Sequence, residues 1–111
     1  MTNLKTLILS FNEIEEIESL SSCHQLLKLD LHNNFIRKVK GLESKDKLTY
    51  LDLTYNWIDE FGESLEHLKK NCPSLKDLFM KCNPISIKRG YRTEVFDVLQ
   101  NLNKLDGEDL V

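Results

Sequence analysis

The sequence is short of most residues that special chemistry requires. Its three cysteines, Cys23, Cys72 and Cys82, are an odd number with no C-x-x-C pair. That count excludes a disulfide framework and points to a reducing, intracellular setting. Glycine (four) and proline (two) are scarce, and no Gly-rich phosphate loop, metal-ligand spacing or nucleophile motif occurs. No Asn-x-Ser/Thr sequon is present. No apolar run approaches the ~20 residues that span a bilayer, and the first residues lack the basic and apolar regions of a secretory signal. Fifteen basic against eighteen acidic side chains leave a formal charge of −3, so there is no electrostatic footprint for phosphate backbones or anionic lipid. Direct nucleic-acid and membrane binding are therefore not expected. A chain of 111 residues is too short for two independent cores.

What is abundant is leucine, from Leu4 to Leu110, and its spacing is regular. Aligning the chain on Asn12, Asn34, Asn56 and Asn83 puts Leu4, Leu26, Leu48 and Leu75 eight residues earlier, and Leu7, Leu29, Leu51 and Leu78 five earlier. Leu9, Leu31, Leu53 and Met80 stand three before the asparagine, and Ile14, Ile36, Ile58 and Ile85 two after. Successive copies are offset by 22, 22 and 27 residues, a period characteristic of solenoids. The alternation Leu-x-Leu before each asparagine predicts a short strand with one buried face. The asparagine predicts a bend where its amide serves backbone groups outside the ladder, so stacked copies would form an asparagine ladder. No copy can bury its apolar face alone, and the stack is the folding unit.

Two segments depart from the period. The third copy is five residues longer, and its Gly62 to Asn71 stretch carries Leu65, Leu68 and Cys72 at helical spacing, which predicts a convex-side helix with lysines in its last turn. After Ile85, residues Tyr91 to Gln100 form a second helical stripe, and Leu102 to Gly107 repeat the start of a strand. Cys23 and Cys72 share a place three residues before a copy's first leucine and read as small buried fillers, with Cys82 more exposed.

The pattern L-x-x-L-x-L-x-x-N-x-I resembles the leucine-rich repeat. The ending N-P, Y-R-x-x-V-F-x-x-L-x-x-L-x-x-L-D-G resembles the carboxy-terminal cap of its short 22-residue subclass, which includes phosphatase-regulatory, axonemal dynein light-chain and spliceosomal members. Glu60-Phe61-Gly62-Glu63 entering a helix is most similar to the dynein group. The resemblance implies an α/β leucine-rich-repeat solenoid: a curved right-handed stack with a parallel concave sheet and a carboxy-terminal cap helix. One domain over residues 1–111 is expected, with repeats 4–25, 26–47, 48–74 and 75–90 and a cap at 91–107. With only three residues before Leu4, no amino-terminal cap is evident. The expectation is thus a piece of a longer chain, or association through the uncapped amino-terminal end.

The same resemblance implies a non-catalytic scaffold that binds a partner protein on its concave sheet, in a cytoplasmic, cytoskeletal, ciliary or centrosomal setting. A ribonucleoprotein-associated or phosphatase-regulatory subunit is the alternative. No cofactor and no metal are expected. The residues chosen for partner contact are Asp30, His32, Phe35, Tyr50, Asp52, Tyr55, Trp57 and Phe79, because four of the aromatics stand where the repeat does not demand burial. Competing explanations are plain: Phe35 and Trp57 could simply pack on each other, the aspartates are common in this repeat, and His32 beside Asp30 and Asp52 reads as a surface histidine. The Lys88-Arg89-Gly-Tyr-Arg92 cluster is the one basic patch, too small to hold many phosphates.

Overall fold

The computed structural model describes residues 3–109; Leu110 and the expected domain limits at 1 and 111 lie outside them. Four three-residue strands follow in chain order, β1 (Thr6–Ile8), β2 (Lys28–Asp30), β3 (Tyr50–Asp52) and β4 (Asp77–Phe79). All are paired parallel, each with the next. The register places Leu7, Leu29, Leu51 and Leu78 side by side. Two short strands, β5 (Lys104–Leu105) and β6 (Glu108–Asp109), complete a six-stranded sheet in sequence order. The strands that the repeat predicts, β5 included, pair parallel as expected, while the added β5–β6 pair is antiparallel. Gly107, at φ 82° after Asp106 at φ 54°, turns the chain back too tightly for a parallel crossover.

Between β3 and β4 runs α1 (Phe61–Asn71), and after a 3-10 turn at Pro84–Ile87 comes α2 (Tyr91–Val98). The repeat leucines and isoleucines of the inner copies are sequestered: Leu26, Leu29, Ile36, Leu48, Leu51, Leu53, Ile58, Leu78 and Ile85 are all fully buried. Each such side chain contributes roughly 1.5–3 kcal/mol of transfer free energy. In the first copy Leu4, Leu7, Leu9 and Ile14 are only half-buried.

The asparagine ladder forms and is reciprocal between coils. Asn56 donates from Nδ2 to the carbonyls of Leu53 in its own coil and Leu31 in the preceding one, while its Oδ1 accepts Ile36 N–H. Asn34 and Asn83 repeat this with Leu9, Leu31 and Ile14, and with Leu53, Met80 and Ile58. In the last coil Asp106 takes a related place but only accepts, from Met80 N–H and Lys81 N–H at Oδ1 and from the Tyr91 hydroxyl at Oδ2 (2.8 Å). The Tyr91 ring stacks on Phe61 at 5.9 Å, tying cap to α1. Burial first, and then the Asp106 carboxylate, push the Tyr91 hydroxyl pKa well above its ordinary value.

Three features escaped the repeat pattern. Lys45 occupies the place of Cys23 and Cys72 in the second copy, yet is 1% exposed, with Nζ donating to the Glu43 carbonyl. On α1, the Ser64 hydroxyl and His67 Nε2 accept the N–H groups of Val39 and Leu42, serving backbone that the helix-free second coil leaves unpaired. Gly41, at φ 82°, lies where a Cβ would come within 2.1 Å of the Ile17 carbonyl oxygen of the preceding coil, so only glycine lets the two return paths approach.

Candidate functional site

The strands turn alternate side chains out of the core, and the register brings the outward ones into rows. Lys28, Tyr50 and Asp77 form one row, and Ile8, Asp30, Asp52 and Phe79 the next. Across these rows Tyr50 and Phe79 meet at a ring separation of 5.3 Å, and Lys28 Nζ lies 4.6 Å above the Tyr50 ring, within cation–π range. Burial, followed by the charges of Asp52, Asp30 and Asp77, raises the Tyr50 hydroxyl pKa. This central patch therefore combines an aromatic pair with three carboxylates around it.

Asp30 and Asp52 stand directly opposite each other, and each accepts a backbone N–H two residues on: His32 N–H for Asp30 and Thr54 N–H for Asp52. These turns finish the strand after the ladder ends, which is the structural duty the aspartates perform whatever they bind. His32 has its Nε2 3.6 Å from Asp30 Oδ2, its Nδ1 2.7 Å from Asn33 Oδ1, and its ring edge-on to Phe11 at 5.0 Å. The convergence of a histidine with two carboxylates resolves into one pair, since among the described residues Asp30 is the carboxylate within ion-pair distance of the His32 ring.

The other three chosen residues lie elsewhere. Phe35, Tyr55 and Trp57 line a groove of about 1100 Å³ along the turn edge, together with Phe11, Cys82, Pro84 and Ile87. None of Asp30, His32, Tyr50, Asp52 or Phe79 lines it. The eight residues thus fall into a sheet patch and an edge groove. Phe35 and Trp57 do not form a ring pair among the described residues; both line a second hollow with Glu15, Arg37, Asp59 and Pro84. The neighbouring Cys82 thiol raises the Tyr55 hydroxyl pKa above its ordinary value. Phe11, 74% exposed, and Ile87, 87% exposed, were missed. Phe11 was recognisable as a turn-edge column member of the first copy, whereas Ile87 belongs to the irregular turn after the repeat and carried no periodic signal.

Cys23 and Cys72 are buried and Cys82 exposed, as their positions predict, and burial pushes the Cys72 thiol up to about 12. Among the described residues no group of three or more His, Cys, Asp or Glu is placed to hold a metal ion, and no helix is long and apolar enough to cross a membrane.

Comparison with known proteins agrees with this architecture. A family model described as Leucine Rich repeats (2 copies) matches residues 2–44, and one described as Leucine Rich Repeat matches 47–69. The chain is 35% identical over 94% of its length to human leucine-rich repeat and IQ domain-containing protein 3. It is 36% identical over its whole length to dynein axonemal assembly factor 11 of Trypanosoma brucei brucei. It spans 17% and 34% of those two relatives. Among solved structures, one chain of the Drosophila melanogaster SNF/U2A' complex matches with a TM-score of 0.89 at 28% identity, over 99% of this chain and 63% of that one. Repeat, ladder, cap and matches agree: the chain belongs to the leucine-rich-repeat family.

Proposed function

We propose that this chain is a non-catalytic interaction module that binds a partner protein on its concave sheet, in the cytoplasmic assembly of ciliary or cytoskeletal machinery. The observation that carries the reading is the Tyr50–Phe79 pair, bordered by Lys28 and by the carboxylates of Asp30, Asp52 and Asp77. Aromatic side chains on a rigid sheet lose little entropy on binding, and acidic neighbours orient a partner that offers basic groups. The ciliary setting rests on the name of the trypanosomal relative, a dynein axonemal assembly factor. The likeness to a chain of the SNF/U2A' complex favours one second reading, a ribonucleoprotein-associated subunit whose contact is still with protein.

Capture from ciliated-cell extract by the immobilised chain tests both. Tyr50→Ala with Asp52→Lys is expected to release proteins that the wild type retains, among them axonemal dynein subunits, with no change on ribonuclease treatment. Retention of the same proteins by the double variant would refute the sheet as the site. Retention of ribonucleoprotein components in place of dynein subunits would favour the second reading.

A further inference from the structure

We infer that the turn-edge groove is a second docking surface, distinct from the sheet, and that its occupant is an apolar-faced α-helix of a partner protein. The occupant's amino-terminal end lies over the first coil and its carboxy-terminal end over the cap. Three observations converge. The groove is walled by Phe11, Phe35, Tyr55, Trp57, Pro84 and Ile87, and most of these rings are strongly exposed: Phe11 74%, Trp57 59%, Tyr55 57%. A row of this kind on a small protein marks a contact surface.

The backbone adds the second observation. Phe11, Asn33, Tyr55 and Cys82 precede the four repeat asparagines, and all have φ between 57° and 61°. Asparagine is at ease in that conformation, and bulky aromatics are not. Phe11 and Tyr55 accept the strain without gaining burial, which is the pattern of side chains placed for a ligand.

Geometry and charge select the occupant. The backbone groups behind the groove are already consumed by the asparagine ladder and coil-to-coil bonds such as Phe11 N–H to the His32 carbonyl and Tyr55 N–H to the Lys81 carbonyl. An added β-strand would find no free edge there. The groove runs across the coils, whose spacing of ~4.8 Å is close to the ~5.4 Å pitch of an α-helix, so one helical turn meets each coil. Four coils span ~15 Å, the length of about ten helical residues. At the first coil Glu13 lines the groove and Glu15 the adjoining hollow; at the other end Ile87 leads into exposed Lys88 and Arg89. Among the described residues none of these four charges is ion-paired, whereas in the middle Arg37 and Asp59 offset each other at 3.7 Å. A helix dipole, positive at its amino end, fits that polarity in one direction only.

The probe is a library of stapled helical peptides of about 12 residues, apolar at positions i, i+4 and i+7 and randomised elsewhere, selected on the folded 111-residue chain. Selected peptides are expected to lose about tenfold or more in affinity with Trp57→Ala or Phe35→Ala, and nothing with Tyr50→Ala. A spin label on the peptide's amino end is expected to broaden the amide signals of Asn12 and Glu13, and one on its carboxy end those of Ile87 and Lys88. Thermal melts check that each variant folds. Should an aromatic variant fail to fold, Glu13→Lys with Lys88→Glu replaces it and is expected to weaken binding by a similar factor. Recovery of no binder, binding insensitive to groove changes, or the reverse orientation overturns the inference. So would a concentration-dependent dimer abolished by Trp57→Ala, which would make a second copy the occupant. Peptides that depend on Tyr50 and ignore Trp57 would sink the groove while leaving the sheet reading intact.

Discussion

Lys45 shows how a single position can depart from its column. Its counterparts Cys23 and Cys72 are small and uncharged, whereas Lys45 buries its stem and, among the described residues, gives its ammonium the Glu43 carbonyl alone. An ammonium so poorly partnered costs more than it contributes. Lys45→Met is therefore expected to raise the unfolding free energy by about 1–2 kcal/mol in urea titrations, and a loss of stability would show that the charge has a partner of greater worth. The exposed aromatics follow the opposite rule. Tyr55→Ala and Trp57→Ala are expected to weaken partner binding while costing less stability than Leu53→Ala, for which truncation in a packed core costs roughly 2–5 kcal/mol. Should both aromatic changes unfold the domain in the same titrations, they belong to the core.

At the level of elements, the ladder makes asparagine and aspartate non-interchangeable. Asn56 must both donate and accept, whereas Asp106 only accepts. Asn56→Asp removes the donor shared by two carbonyls and sets a carboxylate against them. It is expected to cost about 2–4 kcal/mol. Asp106→Asn keeps an oxygen for Met80 and Lys81 and lets the Tyr91 hydroxyl accept instead, so it is expected to cost about 1–1.5 kcal/mol. Equal losses in paired thermal melts would contradict this assignment. Helix α1 carries a pH signature. Burial holds the His67 pKa below its ordinary 6.5, and neutral Nε2 accepts Leu42 N–H. Because the unfolded chain binds this proton more readily, the stabilisation is complete above pH 6.5 and declines as pH falls through the lowered folded value. His67→Gln is expected to flatten that part of the stability curve, and an unchanged slope would remove His67 from the account. The leucine columns and the asparagine ladder were legible in the sequence because each recurs at a fixed offset, the two helices because their apolar residues fall at helical spacing, and the cap because its ending resembles that of the short-repeat subclass. Gly41, Lys45, Ser64 and His67 were not, because their roles come from contacts between coils, where the neighbour opposite each residue depends on how the return paths stack. The sheet and groove were run together for a related reason: period alone marks a residue as outward-facing without saying which surface it joins.

Over the whole molecule, stacking turns five short columns into one continuous core and leaves every outward column as a flat, rigid row. That division lets the sheet patch and the edge groove vary without disturbing the ladder beneath them. It also means that the site can be mapped one column at a time. The central claim is that a partner protein rests on the sheet around Tyr50 and Phe79. Its most direct test is a photo-crosslinking amino acid placed singly at Phe79, at Tyr50 and, as a convex control, at Glu66 of α1. After irradiation in ciliated cells, a shared partner protein is predicted to be joined to the chain from positions 79 and 50 and not from 66. Crosslinking of partners from 66 alone, or from none of the three, would contradict the claim.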